Sequence, residues 1–397
     1  MNRIQGVWAA ASCGALLFVV ACGGGGSSHL NVISPSGSNV QPVTVSGGPT
    51  GQYVDGAFTS VTVCTPGTST CQTIDGVLVD TGSSGLRILS SALMIPLTQQ
   101  HAPDGNPVVE CLPFLDSYTW GPVQTGDVQI AGEKANSLPI QVLSDLEFPV
   151  PTSCSDNGPS ADTISSLGAN GLLGVGSFAQ DCGGACVSTG ASNPELYYEC
   201  PAAGCSVVGE NLAQQVQNPV VFFATDNNGV VLKLPAAGAP AVSMSGSLIF
   251  GIGTQSNNAL NGATIYPLDQ FGNFATTYNG QSYSGSFLDS GSNGIYFLTS
   301  GVTGLPDCSG FYCPATTQNL SATNKAAGGA SGTVNFSVGN ADDLFNNNPT
   351  AAVFGDLAGP GSIDGFDWGL PFFFGRSVFT SIAGQTSPGG TQPYWAY

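Results

Sequence analysis

Cations are what this chain of 397 residues has least of: 6 Lys and Arg together, with 2 His. Against 25 Asp and Glu they leave a formal net charge of −19. Rows of Lys and Arg hold a phosphate backbone, so nucleic acid is excluded as a partner, as is a membrane surface gripped by a basic patch. His29 and His101 are too few for a multi-histidine metal site, and no G-x-S-x-G elbow offers a Ser-His-Asp triad. Charged residues make up 8% of the chain and hydrophobic ones 42%, the reverse of a disordered composition.

What is abundant is glycine (56) and proline (26), too much of both for a helical protein. Many short strands joined by turns suit that composition, so the expected fold class is all-β, with short helices confined to patches such as residues 209–217. At roughly 150 residues per domain, the length fits two or three units.

A long apolar run, Gly6 to Ala21, follows Arg3. About 16 apolar residues behind a single cation read as an export signal over 1–21 and are short for a membrane span. The step into Cys22 is similar to the lipobox of bacterial lipoproteins, which implies signal removal and a lipid-modified Cys22. Gly23, where Asp would direct inner-membrane retention, implies the outer membrane. GGGGSS from Gly23, continuing in Ser, Gly, Pro and Asn, is expected to form a lipid-anchored flexible tether over 22–50.

Of 12 cysteines, Cys13 lies in the signal and Cys22 at its end, which leaves an even number. Four close couples stand out: Cys64 with Cys71, Cys182 with Cys186, Cys200 with Cys205, and Cys308 with Cys313. Cys111 and Cys154 remain as a wider pair. Irregular spacing without nearby histidine favours disulfides over metal, and hence an oxidising compartment, although spacing alone leaves connectivity open.

One internal echo carries the chemistry. VLVDTGSSGLRIL, Val77 to Leu89, aligns without gaps with SFLDSGSNGIYFL, Ser286 to Leu298. Each copy reads as a buried apolar strand, a tight Asp-Thr/Ser-Gly turn and a second apolar strand. The aspartates, Asp80 and Asp289, lie 209 positions apart (80 to 289), which suits two lobes each offering one loop to a shared centre.

The first copy resembles the D-T-G-S-S motif of pepsin-like aspartic peptidases, and the second resembles their D-S-G-T/S motif. Further stretches are similar to the same family. Tyr118-Thr119-Trp120-Gly121 followed by Asp127 to Ile130 resembles the flap hairpin. Asn170 to Gly176 (NGLLGVG) resembles the element supporting the first loop, Gly246 to Gly251 (GSLIFG) an early second-lobe stretch, and Trp368 to Arg376 (WGLPFFFGR) the second support. The resemblance implies a bilobed all-β fold, two pseudo-symmetric lobes over 51–225 and 226–397 with a cleft between them, and a monomer. It implies Asp80 and Asp289 as catalytic pair, without cofactor or metal. Thr81 and Ser290 would cross-brace the loops, Gly82 and Gly291 would allow their close turns, and Ser83 and Ser292 would donate to the carboxylates. Tyr118 and Trp120 would sit in the flap over a polypeptide substrate.

Two departures stand out. Where the family carries Gly then Asp, this chain has Pro371 then Phe372, which implies a differently built support beneath Asp289. No Lys or Arg lies between Arg3 and Arg87, so a basic inhibitory pro-segment is not expected. The expectation is an aspartic endopeptidase acting on periplasmic or extracellular polypeptides. The alternative is an inactive surface lipoprotein of the same fold, holding a peptide or glycan. Arg87 and Tyr296, just beyond the motifs, read equally well as salt-bridging or packing residues.

Overall fold

The computed structural model describes residues 37–114, 117–144, 148–326, 328–362 and 364–397. The expected signal, Cys22 and most of the expected tether lie outside them. The described residues form sheets of 16, 7 and 2 strands. Helices are short, the longest being Ala341–Asn347, which starts where the Asn340 side chain accepts from the Asp343 N–H. No helix among the described residues is long and apolar enough to cross a membrane.

Both halves repeat one plan around their aspartate. In the first, strand Cys71–Asp80 runs parallel to Gly171–Val175, which runs antiparallel to Ser84–Leu89, itself parallel to the end of Glu133–Leu143. In the second, Gln281–Leu288 runs parallel to Phe366–Trp368, which runs antiparallel to Ile295–Phe297, itself parallel to Ala358–Gly359. Runs such as Val77-Leu78-Val79 and Leu172-Leu173 are buried on both faces, as parallel neighbours require.

The halves are joined by one sheet path, in the order Val40–Ser46, Met244–Phe250, Gly229–Lys233, Ser377–Ser381 and Tyr394–Ala396. The tether expected over 22–50 is therefore shorter at its C-terminal end. Residues 40–46 are a strand because Val43 and Val45 alternate into the core while the backbone pairs with 244–249. Asp55 adds a second tie across the halves: its N–H donates to Ala352 O (2.8 Å), and its carboxylate accepts from the Phe354 N–H (2.8 Å).

The helical patch expected at 209–217 is made of turns. Its backbone is drawn outward, the Glu210 N–H to Cys186 O (2.7 Å) and the Val216 N–H to the Tyr197 hydroxyl (2.7 Å). Five disulfides join Cys64–Cys71, Cys111–Cys154, Cys182–Cys186, Cys200–Cys205 and Cys308–Cys313. Such cross-linking belongs to an oxidising compartment, extracellular or periplasmic.

Candidate active site

The two loops clasp each other reciprocally. The Thr81 N–H donates to Ser290 Oγ (3.1 Å) and the Ser290 N–H to Thr81 Oγ1 (2.9 Å). Each hydroxyl then donates past the other loop, Ser290 to Val79 O (2.8 Å) and Thr81 to Leu288 O (3.4 Å). All four contacts are buried, so the register of one loop against the other is fixed by bonds that water cannot replace.

The clasp brings the Asp80 and Asp289 carboxyls together: a Cβ on Gly291 would lie 2.9 Å from Asp80 Oδ1 and 3.1 Å from Asp289 Oδ1. Each is 1% exposed. Gly82 N–H donates to Asp80 Oδ1 and Gly291 N–H to Asp289 Oδ1, both at 2.8 Å. The Ser83 hydroxyl donates to Asp80 Oδ2 and the Ser292 hydroxyl lies 2.9 Å from Asp289 Oδ2. The glycines are required by the opposite lobe. A Cβ on Gly82 would lie 2.6 Å from Asp289 Cγ, and one on Gly291 would lie 2.9 Å from Asp80 Cγ. Burial raises the Asp289 pKa well above the usual carboxylate range, and the negative charges of Asp80 and Asp367 raise it further.

The support beneath Asp289 departs from expectation. Leu288 pairs with Trp368, so Gly369 sits where Gly174 sits beside Asp80. A Cβ on Gly369 would lie 2.0 Å from Gly294 O, the close approach this position demands. Pro371 falls beyond it, in the first turn of the short helix Leu370–Phe373, where a missing N–H costs little. The Pro371-Phe372 pair therefore does not disturb the support. Asp367 is what differs: it occupies the position of Leu172 and lies 2.7 Å from the Ser292 hydroxyl.

Behind the first loop, Arg87 is fully buried, its guanidinium pairing with Glu110 (2.7 Å) and Asp181 (2.9 Å). It also donates to Gln141 Oε1 (3.1 Å) and Ser84 O (2.9 Å). Tyr197 donates to the other oxygen of Asp181 (2.7 Å). Burial and the neighbouring Glu110 push the Asp181 pKa well up, against the pull of Arg87. Arg87 is thus a salt-bridging residue, and Tyr296, whose hydroxyl donates to Asn293 Oδ1 (2.5 Å), packs beside Phe311.

The hairpin Val108–Pro113 with Tyr118–Ile130 occupies the flap's place in the chain. Tyr118 and Trp120, expected in the flap, lie on its second strand. Both are buried in a cluster with the Cys111–Cys154 disulfide and Tyr198, and the Trp120 indole donates to Phe148 O (3.0 Å). Strand Tyr197–Glu199 pairs along the hairpin's outer edge, which leaves the hairpin held on both sides. A cavity of about 570 Å³ opens beside the first loop, lined by Thr81, Gly82, Ser83, Phe178, Asp181 and, from the second half, Phe271.

Sequence reasoning missed Asp367 and the partners of Arg87. The first had a signal, an aspartate inside the apolar triplet Phe366-Asp367-Trp368 beside Gly369. Glu110 and Asp181 had none, since nothing local marks an acid that will meet a distant arginine.

The family model described as "Protein of unknown function (DUF3443)" matches residues 35–397, so the chain belongs to that family. No curated protein matches in sequence. Among 266 matching chains of solved structures is the aspartic proteinase from Irpex lacteus, at 15% identity and a TM-score of 0.51. The likeness covers 90% of this chain and 96% of that one. The fold is therefore the bilobed all-β fold of pepsin-like proteinases.

Proposed function

We propose that this DUF3443 protein is an aspartic endopeptidase that hydrolyses extended polypeptides between Asp80 and Asp289. One observation carries the reading: two buried aspartates, each seated on the glycine of the opposite loop, meet inside a reciprocal clasp. Two carboxyls this close retain a proton between them, which equips the pair to work as base and acid at once.

In that reaction Asp80, whose oxygens accept from the Gly82 N–H and the Ser83 hydroxyl, takes a proton from water as its oxygen attacks the carbonyl carbon. Asp289, held toward its protonated form by burial and by its acidic neighbours, gives its proton to the carbonyl oxygen. Collapse of the tetrahedral diol breaks the C–N bond: the proton gained by Asp80 leaves on the amine nitrogen, and a diol hydroxyl returns its proton to Asp289 as it becomes the new carbonyl. Thr81 and Ser290 keep the carboxyls in register throughout. The substrate is an extended chain, bound along the cavity beside Thr81–Ser83.

The test is digestion of casein and a peptide library over a range of pH, with and without a pepstatin-type inhibitor. Asp80→Asn and Asp289→Asn should each lose about 10²–10⁴-fold or more in rate. Cleavage that persists in either variant would reject the mechanism. Lipid attachment at Cys22 belongs to the same proposal, and Cys22→Ala should then release the protein from membrane fractions.

A second reading, a non-enzymatic peptide or glycan binder, is favoured by one feature. The hairpin in the flap's place is held by Cys111–Cys154 and by strand Tyr197–Glu199, and neither aspartate lines the cavity. Folded protein that binds library peptides and cleaves none at any pH would decide for it.

A further inference from the structure

Ser292 poses a problem of proton number. Its Oγ lies 2.9 Å from Asp289 Oδ2 and 2.7 Å from Asp367 Oδ2, both within hydrogen-bond distance. A serine hydroxyl has one proton to donate, and two anionic oxygens cannot both be served by it. The second contact needs an acid proton, donated into the lone pairs of Ser292 Oγ by Asp367 or by Asp289. Asp80 and Asp289, packed within contact of the same Gly291 position, retain another between them. If Asp289 uses its proton on Ser292, Asp80 must supply the one between them; if Asp289 faces Asp80 with it, Asp367 must be the donor to Ser292. Either arrangement gives the same total.

We propose that Asp367 is a third acid of this site, a positioning residue acting through Ser292 on Asp289, and that the three carboxyls together hold two protons. The first lobe has no counterpart. Leu172 stands at the matching position, so the Ser83 hydroxyl serves Asp80 alone. The duplicated loops are thereby made unequal, with the proton-holding side at Asp289.

The adjoining elements bring Tyr296 from strand Ile295–Phe297, whose hydroxyl donates to Asn293, and Tyr53 from the N-terminal loop, whose hydroxyl donates to Gly291 O (3.4 Å). Strand Cys71–Asp80 brings Asp80 itself, and Asp364, ahead of strand Phe366–Trp368, is exposed. At Asp289, burial and the charges of Asp80 and Asp367 favour the protonated form.

The proton count stands on geometry, while its effect on rate rests on the peptidase reading, so two measurements are paired. The first is an infrared titration of buried protonated carboxyls in the full chain, wild type against Asp367→Asn and against Asp367→Leu, which copies the first lobe. Near neutral pH each variant should show one protonated carboxyl fewer than wild type. The second is the pH–rate profile. Removing the third acid lowers the proton affinity of the pair, so the alkaline limb should move to lower pH by about one unit or more. An unchanged carboxyl count in folded Asp367→Asn, or in Asp367→Leu should the former not fold, overturns the proposal. So does an alkaline limb that stays in place while the enzyme remains active. If no peptide is cleaved at any pH, the peptidase reading fails and the infrared count still decides this one.

Discussion

The two lobes share a backbone plan and reinforce it by opposite means. Measured from the aspartates, Arg87 corresponds to Tyr296, Leu172 to Asp367 and Gly171 to Phe366. The first lobe fixes its loop with a buried guanidinium shared by Glu110 and Asp181, and carries four of the five disulfides. The second lobe packs aromatic rings instead. Phe366 stacks on Phe297 and on Trp368, both with centroids 5.0 Å apart, and Phe336 meets Trp368 edge-on at 5.3 Å. What duplication preserves is the backbone geometry at Gly174 and Gly369, where a side chain would collide with the loop it supports. The material behind that geometry is free to differ, ionic in one lobe and aromatic in the other.

The sharpest way to break this comparison is to exchange the two reinforcements one residue at a time. Arg87→Met should cost about 3–5 kcal/mol, because Glu110 and Asp181 are left buried without their cation. Phe366→Ala should cost about 3–5 kcal/mol by a different route, the cavity left among stacked rings. Tyr296→Phe, the change at the position equivalent to Arg87, should cost about 1 kcal/mol, the value of one hydrogen bond. Denaturant unfolding with disulfides intact measures all three. An Arg87 variant as mild as the Tyr296 variant would mean that the ionic network is incidental.

Cross-links give a smaller contrast. Cys111–Cys154 closes a sequence separation of 43 and pins the hairpin, whereas Cys308–Cys313 closes one of 5. Chain entropy alone then assigns about 4 kcal/mol to the first and about 2 kcal/mol to the second. Paired Cys→Ser variants should lose stability in that order, read as unfolding midpoints. If the hairpin acts as a substrate flap, freeing it by removing Cys111–Cys154 should also change KM more than removing Cys308–Cys313 does.

Much of this was legible in the chain itself, because the decisive contacts are symmetric and local in pattern. The gap-free match around Asp80 and Asp289 marked both loops, and the cross-brace of Thr81 and Ser290 was implied by the resemblance to pepsin-like peptidases. Proximity in sequence offered the simplest disulfide pairing, which is the one found, while leaving connectivity open. The packing of Tyr118 and Trp120 was not legible: an aromatic in a strand faces the substrate or the core according to which neighbours arrive, and here Tyr198 and Cys154 arrive from distant segments. The strand at 40–46 was hidden by the Gly, Ser and Pro around it. Pro371 misled because position was counted along an apolar run, whereas strand register places the supporting glycine two residues earlier, at Gly369.

The smallest expected effect concerns protons outside the pair. Burial raises the carboxyl pKa of Asp55 and Asp181 well above the usual range, as it does at Asp289, and pushes Glu210 up to about 7. An acid that binds its proton more tightly folded than unfolded contributes stability below its unfolded pKa and loses that contribution as pH rises through the folded one. For Glu210 the window runs from 4.5 to about 7. Asp127 works in the other sense: its partial desolvation is outweighed by the Ser137 N–H and by Lys134, which is 44% exposed, so solvent screens that pair. The raised acids therefore prevail, and the unfolding midpoint should be lower at about pH 8 than at about pH 5. Glu210→Gln should flatten the part of that slope between 4.5 and about 7 while leaving the alkaline limb of any peptidase activity in place, because Glu210 belongs to the first lobe's periphery and Asp289 to the shared centre. A variant that flattens the stability slope and shifts the limb together would show that the two lobes titrate as one system, and the division of labour drawn between them would have to be abandoned.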